Sequence, residues 1–290
     1  MGSFTAIGDR CWVARWDFLD VNVGLVAGDR GLLVVDTNTS AAVARTVLEE
    51  VRRVSSAPIL AAVNTHHHFD HTFGNLTFAT AGAELVCHEG AATTLPAHAA
   101  DILRQLEAEA QADDRDRDRY REIAETEVAV PSRTFSSAMS LDLGDRQVEL
   151  VHPGRGHTDG DAVLRVPDAK VLFAGDLVEE SALRKGIPGY GDDCWPMEWP
   201  TTLDLVLALL DAGSVVVPGH GAPVDQDFVL GQRSAIGEVA EAIRDLVERR
   251  VPLEEALEHE AWPYPRAELA AGIRRGYEQL PGARKSLPLI

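Results

Sequence analysis

The run Thr65-His66-His67-His68-Phe69-Asp70-His71 constrains this chain more than any other feature. From His66 to His71 it sets three imidazoles and a carboxylate at metal-ligand spacing. The preceding Ile59-Leu60-Ala61-Ala62-Val63 is short, apolar and partly β-branched, so it reads as a buried strand. Past the strand end the chain is still extended, and residues i and i+2 of an extended chain point the same way. His66 and His68 can therefore converge on one ion, with His67 pointing elsewhere. Asp70 and His71 sit where the chain must turn, and they can face a second ion. The run is internal, so it is no expression tag.

Other chemistry-bearing residues follow apolar runs in the same way. Leu33-Val34-Val35 leads into Asp36. The alternating Arg146–Val151 run precedes Gly156-His157-Thr158-Asp159-Gly160-Asp161. Val171–Ala174 leads into Gly175-Asp176, and Val215–Pro218 into Gly219-His220-Gly221. A lone buried histidine is more often a hydrogen-bonded core residue than a ligand. A series of such clusters, each at a strand end, is hard to explain by chance. Neutral imidazoles are common metal ligands, and carboxylates complete hard or borderline sites.

The pattern His-x-His-x-Asp-His resembles the signature of the metallo-β-lactamase fold superfamily. The other clusters are similar to that family's remaining motifs, in the family's order. The resemblance implies an α/β fold, the αβ/βα four-layer sandwich. It implies one domain over residues 1–290, with a helical insert at about 89–127 and a helical C-terminal extension at about 225–290. It also implies a dinuclear site for two zinc ions, with iron or manganese as substitutes. His66, His68 and His157 would hold the first ion. Asp70, His71 and His220 would hold the second, and Asp176 would bridge. Three imidazoles leave an open position for water. The metal lowers that water's pKa from about 15.7 toward roughly 7. Asp70 would orient the resulting hydroxide and pass a proton to the leaving group, so no Ser or Cys nucleophile is needed.

Departures from subfamily patterns narrow the expectation. Many subclass-one β-lactamases carry Cys where Asp176 stands. Acyl homoserine lactonases carry Tyr at the position of Glu179, and glyoxalase II carries His at Asp161. An Arg-Gly-Cys-Gly-Arg-like stretch of persulfide dioxygenases is absent after Asp176, and His68 is incompatible with the flavodiiron pattern. The chain looks most like the thioesterase-type hydrolases, acting on a small-molecule thioester, ester or related carbonyl compound. The alternatives are β-lactamase or lactonase activity at the same site, or a mononuclear iron oxygenase.

Composition bounds the partners. The chain has 290 residues and a formal net charge of -19. So acidic a surface repels phosphate backbones, which argues against nucleic acid. No apolar stretch approaches the roughly 18 residues of a membrane span. The N-terminus lacks a basic segment followed by an apolar one, so no signal peptide is expected. The 3 cysteines imply no disulfide framework. A cytoplasmic enzyme with a small-molecule substrate is expected, and a homo-oligomer is left open.

Strands are expected at Phe4–Ile7, Cys11–Arg15, Asn22–Ala27 and Leu32–Val35, and a helix at Thr39–Val54. Ala162–Val166 and Val171–Ala174 form a second hairpin around Pro167-Asp168-Ala169-Lys170. The charged run Asp113–Arg119 reads as a solvated helix face. Helical periodicity after Asp225 is broken at Pro252, Pro263, Pro265 and Pro281. Trp12, Trp16 and Phe18 are either core or a flap over the metals. The loop Gly189–Pro196 is rich in Gly and Pro and is expected to line the cleft, with Cys194 as an ordinary loop thiol. Asp36 is expected to brace the loop that carries the histidines.

Overall fold

Alternation along the strands decides the layers. In β4 (Gly31–Val35), Leu33 and Val35 join the apolar cluster between two sheets, while Leu32 and Val34 join the cluster under a helix. Successive side chains of a strand point to opposite faces, so a strand apolar throughout must be covered on both. A computed structural model describes residues 2–112, 116–183, 185–258 and 262–280.

The first sheet takes its strands in chain order: β1 (Thr5–Gly8), β2 (Cys11–Arg15), β3 (Asn22–Gly28), β4, β5 (Ile59–Val63), β6 (Glu84–His88) and β7 (Arg133–Phe135). β1 to β4 are antiparallel, and β4 to β7 are parallel. The second sheet contains β8 (Ala138–Asp142), β9 (Gln147–Val151), β10 (Val163–Val166), β11 (Val171–Glu179) and β12 (Val215–His220), neighbours in that order. Its β11–β12 pair is parallel and its other pairs are antiparallel.

Between the sheets lie Val26, Val63, Leu150, Leu164, Phe173 and Val217, all buried. Helix α1 (Ala41–Val54) covers the first sheet with Ala44, Val47 and Val51, and Ser40 caps it by accepting from the Val43 amide. The short α2 (Phe69–Thr72) and α3 (Asn75–Thr80) follow β5. Between β6 and β7 come α4 (Glu89–Ala112) and α5 (Arg117–Ala124), which share an apolar cluster with Phe73. The outer face of the second sheet is covered by α6 (Trp199–Ala208), α7 (Gln226–Glu248), α8 (Leu253–Leu257) and α9 (Arg266–Gln279). The result is the four-layer αβ/βα sandwich. No helix among the described residues is long and apolar enough to cross a membrane.

Two expected boundaries need correction. β11 does not stop before Gly175 but runs through Asp176 to Glu179, and β12 runs through Gly219 to His220. The apolar pattern ends earlier, yet backbone pairing continues, with shifts, at Gly175–Pro218 and Glu179–His220. Asp176 and His220 therefore project from inside a strand pair. Pro252, Pro263 and Pro265 fall where α7, α8 and α9 are interrupted. Residues 113–115 of the charged run, and Pro281, lie outside the described residues.

Leu150 is fully buried between the sheets. Leu150→Ala should cost about 2–5 kcal/mol in urea denaturation, the usual penalty for a cavity at a packed leucine. A loss below about 1 kcal/mol would mean that this layer is not close-packed.

Candidate metal centre

The site gathers at strand ends on one edge of the sandwich. His66, His68, Asp70 and His71 follow β5, His157 follows β9, and Asp176 and His220 belong to β11 and β12. The structure brings these seven residues into two groups: His66, His68, His157 and Asp176, then Asp70, His71 and His220. In each group the potential ligand atoms lie within 4.8 Å of one another. Asp176 touches both. Its Oδ2 is 3.4 Å from His157 Nε2 and 3.1 Å from His220 Nε2, and its Oδ1 is 3.2 Å from His71 Nε2. Asp70 Oδ2 lies 3.4 Å from His220 Nε2 and 3.7 Å from His71 Nε2.

Every imidazole has one nitrogen tied to an acceptor outside the centre. His157 Nδ1 donates to the Gly189 carbonyl at 2.9 Å, and His220 Nδ1 to the Leu19 carbonyl at 2.7 Å. His71 Nδ1 donates to Asp36 Oδ2 at 2.8 Å. His66 Nδ1 lies 3.1 Å from Thr65 Oγ1, whose hydroxyl donates to Asp36. His68 Nε2 donates to Asp193 Oδ2 at 2.9 Å. A neutral imidazole has a single N–H. In that neutral form, the one that binds a metal, the other nitrogen of each ring faces inward as a bare lone pair.

These lone pairs converge. His157 Nε2 is 2.8 Å from His68 Nδ1, and His71 Nε2 is 3.3 Å from His220 Nε2. Among the described residues, His66 Nε2 is buried with no hydrogen-bond partner, and so is Asp176 Oδ1. Lone pairs and a carboxylate packed this closely repel unless a positive charge lies among them. The donor set is that of a transition-metal site, and these residues fit divalent cations.

Electrostatics divides the rings. Burial lowers His66 and holds His157 down at about 4, so both are neutral, the form that ligates. Burial also acts against His68, His71 and His220, but Asp193 outweighs it at His68, and Asp176 and Asp70 outweigh it at the other two, pushing all three up, His220 to about 9. Asp176 itself is driven well below the carboxylate range: burial is outweighed by His220, His71 and His157. The field around Asp176 and Asp70 calls for positive charge.

The backbone is bent to serve this arrangement. Asp36 sits at φ 63°, a conformation that costs non-glycine residues, and it accepts from the Thr65 amide, the Thr65 hydroxyl and His71. Leu19, which offers its carbonyl to His220, sits at φ 58°. Behind Asp176 there is no room. A Cβ on Gly219 would lie 1.8 Å from Asp176 Oδ1.

A cavity of about 390 Å³ opens over both groups. Leu19, Phe69, Ile102, Leu183 and Tyr190 make its apolar wall, and Gly189 and Gly191 line it too. The Gly189–Pro196 loop thus reaches the cleft. Trp12, Trp16 and Phe18 do not line it: Trp12 and Trp16 pack into the cluster under α1, and Phe18 joins the α4–α5 cluster. Cys194 is fully buried. His67 turns from both groups, and its Nε2 lies 3.1 Å from Asp193 Oδ2.

Sequence reasoning missed Asp193, His98 and the two carbonyl acceptors. His98 lines the cleft from α4 and stacks on His68 at 5.0 Å between ring centroids. Its spacing with Ile102, i to i+4 on one helix face, was the available signal. Backbone carbonyls leave no trace in residue identity.

Residues 16–221 match the family model of the metallo-beta-lactamase superfamily. The chain belongs to that superfamily, and its similarity to hydrolases of that family places it among the hydrolases. It is 27% identical over 208 residues to a metallo-beta-lactamase type 2 from Bacillus cereus, covering 71% of this chain and 70% of that one. It is 30% identical to the acyl-coenzyme A thioesterase MBLAC2 of Gallus gallus, covering 69% and 72%. Among solved structures, a metallo-beta-lactamase from Pontibacter korlensis superposes with a TM-score of 0.62 at 23% identity, covering 82% of this chain and 99% of that one. The sec-alkyl sulfatase PisA1, in a mutant form, superposes with a TM-score of 0.73 at 18% identity, covering 97% of this chain and 50% of that one.

Gly219→Ala should displace Asp176 and weaken metal retention at least about 10-fold with the fold intact, as loss of support for a ligand usually does. Metal content after dialysis, read beside circular dichroism, checks this. Full metal retention would show that Asp176 needs no glycine behind it.

Proposed function

We propose that this chain is a dinuclear zinc hydrolase that cleaves a small-molecule thioester, ester or related carbonyl compound. The observation that carries the reading is Asp176. One carboxylate lies within about 3.4 Å of histidines from both groups, at the floor of a cleft with an apolar wall. His66, His68 and His157 would hold one ion, and Asp70, His71 and His220 the other, with Asp176 between them. Two divalent ions, when bound, supply a water of lowered pKa and a Lewis acid for the carbonyl oxygen. Asp70, next to His220 and open to the cleft, orients the attacking water and carries its proton to the leaving group. The apolar wall seats an acyl or alkyl group and keeps bulk water out.

Thiol chemistry does not compete. Cys11, Cys87 and Cys194 are all buried, and burial pushes each thiol up, the first two to about 12. None is a thiolate near neutral pH. The thioesterase name of one relative supports placing thioesters first, and the Bacillus cereus relative supports a β-lactam as the second reading. The reading takes residues 1–290 as one domain, which the sharing of one apolar cluster by α7, α9 and the second sheet supports. Its place in the cytoplasm is supported by the unpaired cysteines.

Metal analysis of the purified protein should give about two zinc per chain, with turnover on a panel of thioesters, esters, lactones, β-lactams and alkyl sulfates. One iron per chain with oxygen uptake would replace the hydrolase by an oxygenase.

Asp70→Asn should lower kcat by about 10²- to 10⁴-fold, the usual range for a lost proton carrier. His68→Ala and His157→Ala should each remove metal as well as activity. An Asp70→Asn enzyme with wild-type kcat would take Asp70 out of the mechanism.

A further inference from the structure

We propose that Asp193 is a positioning residue that selects the ring tautomer of His68, with His67 holding Asp193 in place. The proposal rests on His68 being a metal ligand. Asp193 Oδ2 lies 2.9 Å from His68 Nε2 and 3.1 Å from His67 Nε2. An ionised carboxylate only accepts, so both rings must donate to it. With its single proton on Nε2, His68 presents a bare Nδ1, the atom 2.8 Å from His157 Nε2. Without an acceptor at Nε2 the proton can sit on Nδ1 instead, where it blocks the ligand position.

His67 is buried, and its Nδ1 finds no partner among the described residues. An orphaned buried nitrogen is a cost. The bond to Asp193 is what the ring gains in return. His98 stacks on His68 with an interplanar angle of 29° and limits its rotation.

The same loop serves His157, because Gly189 supplies the carbonyl for His157 Nδ1. The loop's far end is tied to α9. The Cys194 carbonyl accepts from Arg275 Nε at 3.2 Å and from Gln279 Nε2 at 3.0 Å. Gly272 of α9 lets Tyr190 pack close, since a Cβ there would sit 2.5 Å from the ring. A helix beyond the family-matched residues 16–221 thus braces the loop that sets two histidine tautomers at the centre.

The test uses metal-free protein with ¹⁵N-labelled histidine at a pH alkaline enough for the His68 ring to be neutral, since only a neutral ring has a tautomer. Long-range ¹H–¹⁵N correlation reads the ring tautomers, and competition with a chromophoric chelator reads zinc affinity. Wild type should show His68 protonated on Nε2. Asp193→Ala should move that proton toward Nδ1 and weaken one of two zinc equivalents by about 10- to 100-fold. Asp193→Asn keeps an uncharged acceptor and should restore part of both. His67→Gln should shift the tautomer in the same direction, by less. Asp193→Ala that keeps the Nε2–H signal and wild-type affinity would overturn the proposal, as would a loss of thermal stability with neither readout moved. His68→Ala separates the two readings: if it binds zinc like wild type, the ligand assignment fails. If it loses zinc while Asp193→Ala does not, only the positioning role fails.

Discussion

Where the protons sit on five crowded imidazoles decides what this centre can do. His66, His68, His71, His157 and His220 surround one buried carboxylate, Asp176. A histidine protonated on its inward nitrogen would turn a ligand into an obstacle. The protein prevents this by supplying an outward acceptor for each ring: Thr65, Asp193, Asp36, and the carbonyls of Gly189 and Leu19. The inward lone pairs, 2.8 to 3.3 Å apart in two pairs, are left to a cation.

Those acceptors come from distant parts of the chain, and the sandwich brings them together. Asp36 ends β4, beside β5, so it can brace both Thr65 and His71. Asp176 and His220 lie on the adjacent parallel strands β11 and β12. Leu19 comes from the β2–β3 connection, whose Val21 bridges directly to His220. Much of this is strained or tight: Asp36 and Leu19 at positive φ, and Gly219 with no space for a methyl group. Buried layers on both sides of each sheet hold such conformations in place.

The fold was largely legible because its signals are periodic. Alternation and continuous apolar runs located β2, β4, β5 and β9, and the helix expected over Thr39–Val54 begins two residues later, at Ala41. The seven candidates that the structure gathers were legible as a cluster because side-chain chemistry is written in residue identity and each lies at or near the end of an apolar run. What escaped is what pairing and packing decide. β11 and β12 outlast their apolar patterns because each supplies the other with backbone partners. Of the two readings left open for Trp16 and Phe18, packing decides for the core, since each fills an apolar cluster. Asp193 sits 125 residues or more from both histidines it contacts, and only the fold makes them neighbours.

The central claim is that these imidazoles and Asp176 hold two ions rather than one. X-ray absorption of the zinc-reconstituted protein reads this directly. The account predicts a histidine-rich nitrogen and oxygen shell with a second metal at about 3.5–4 Å. A lone zinc with no metal neighbour at full occupancy, or a shell containing sulfur, would contradict it.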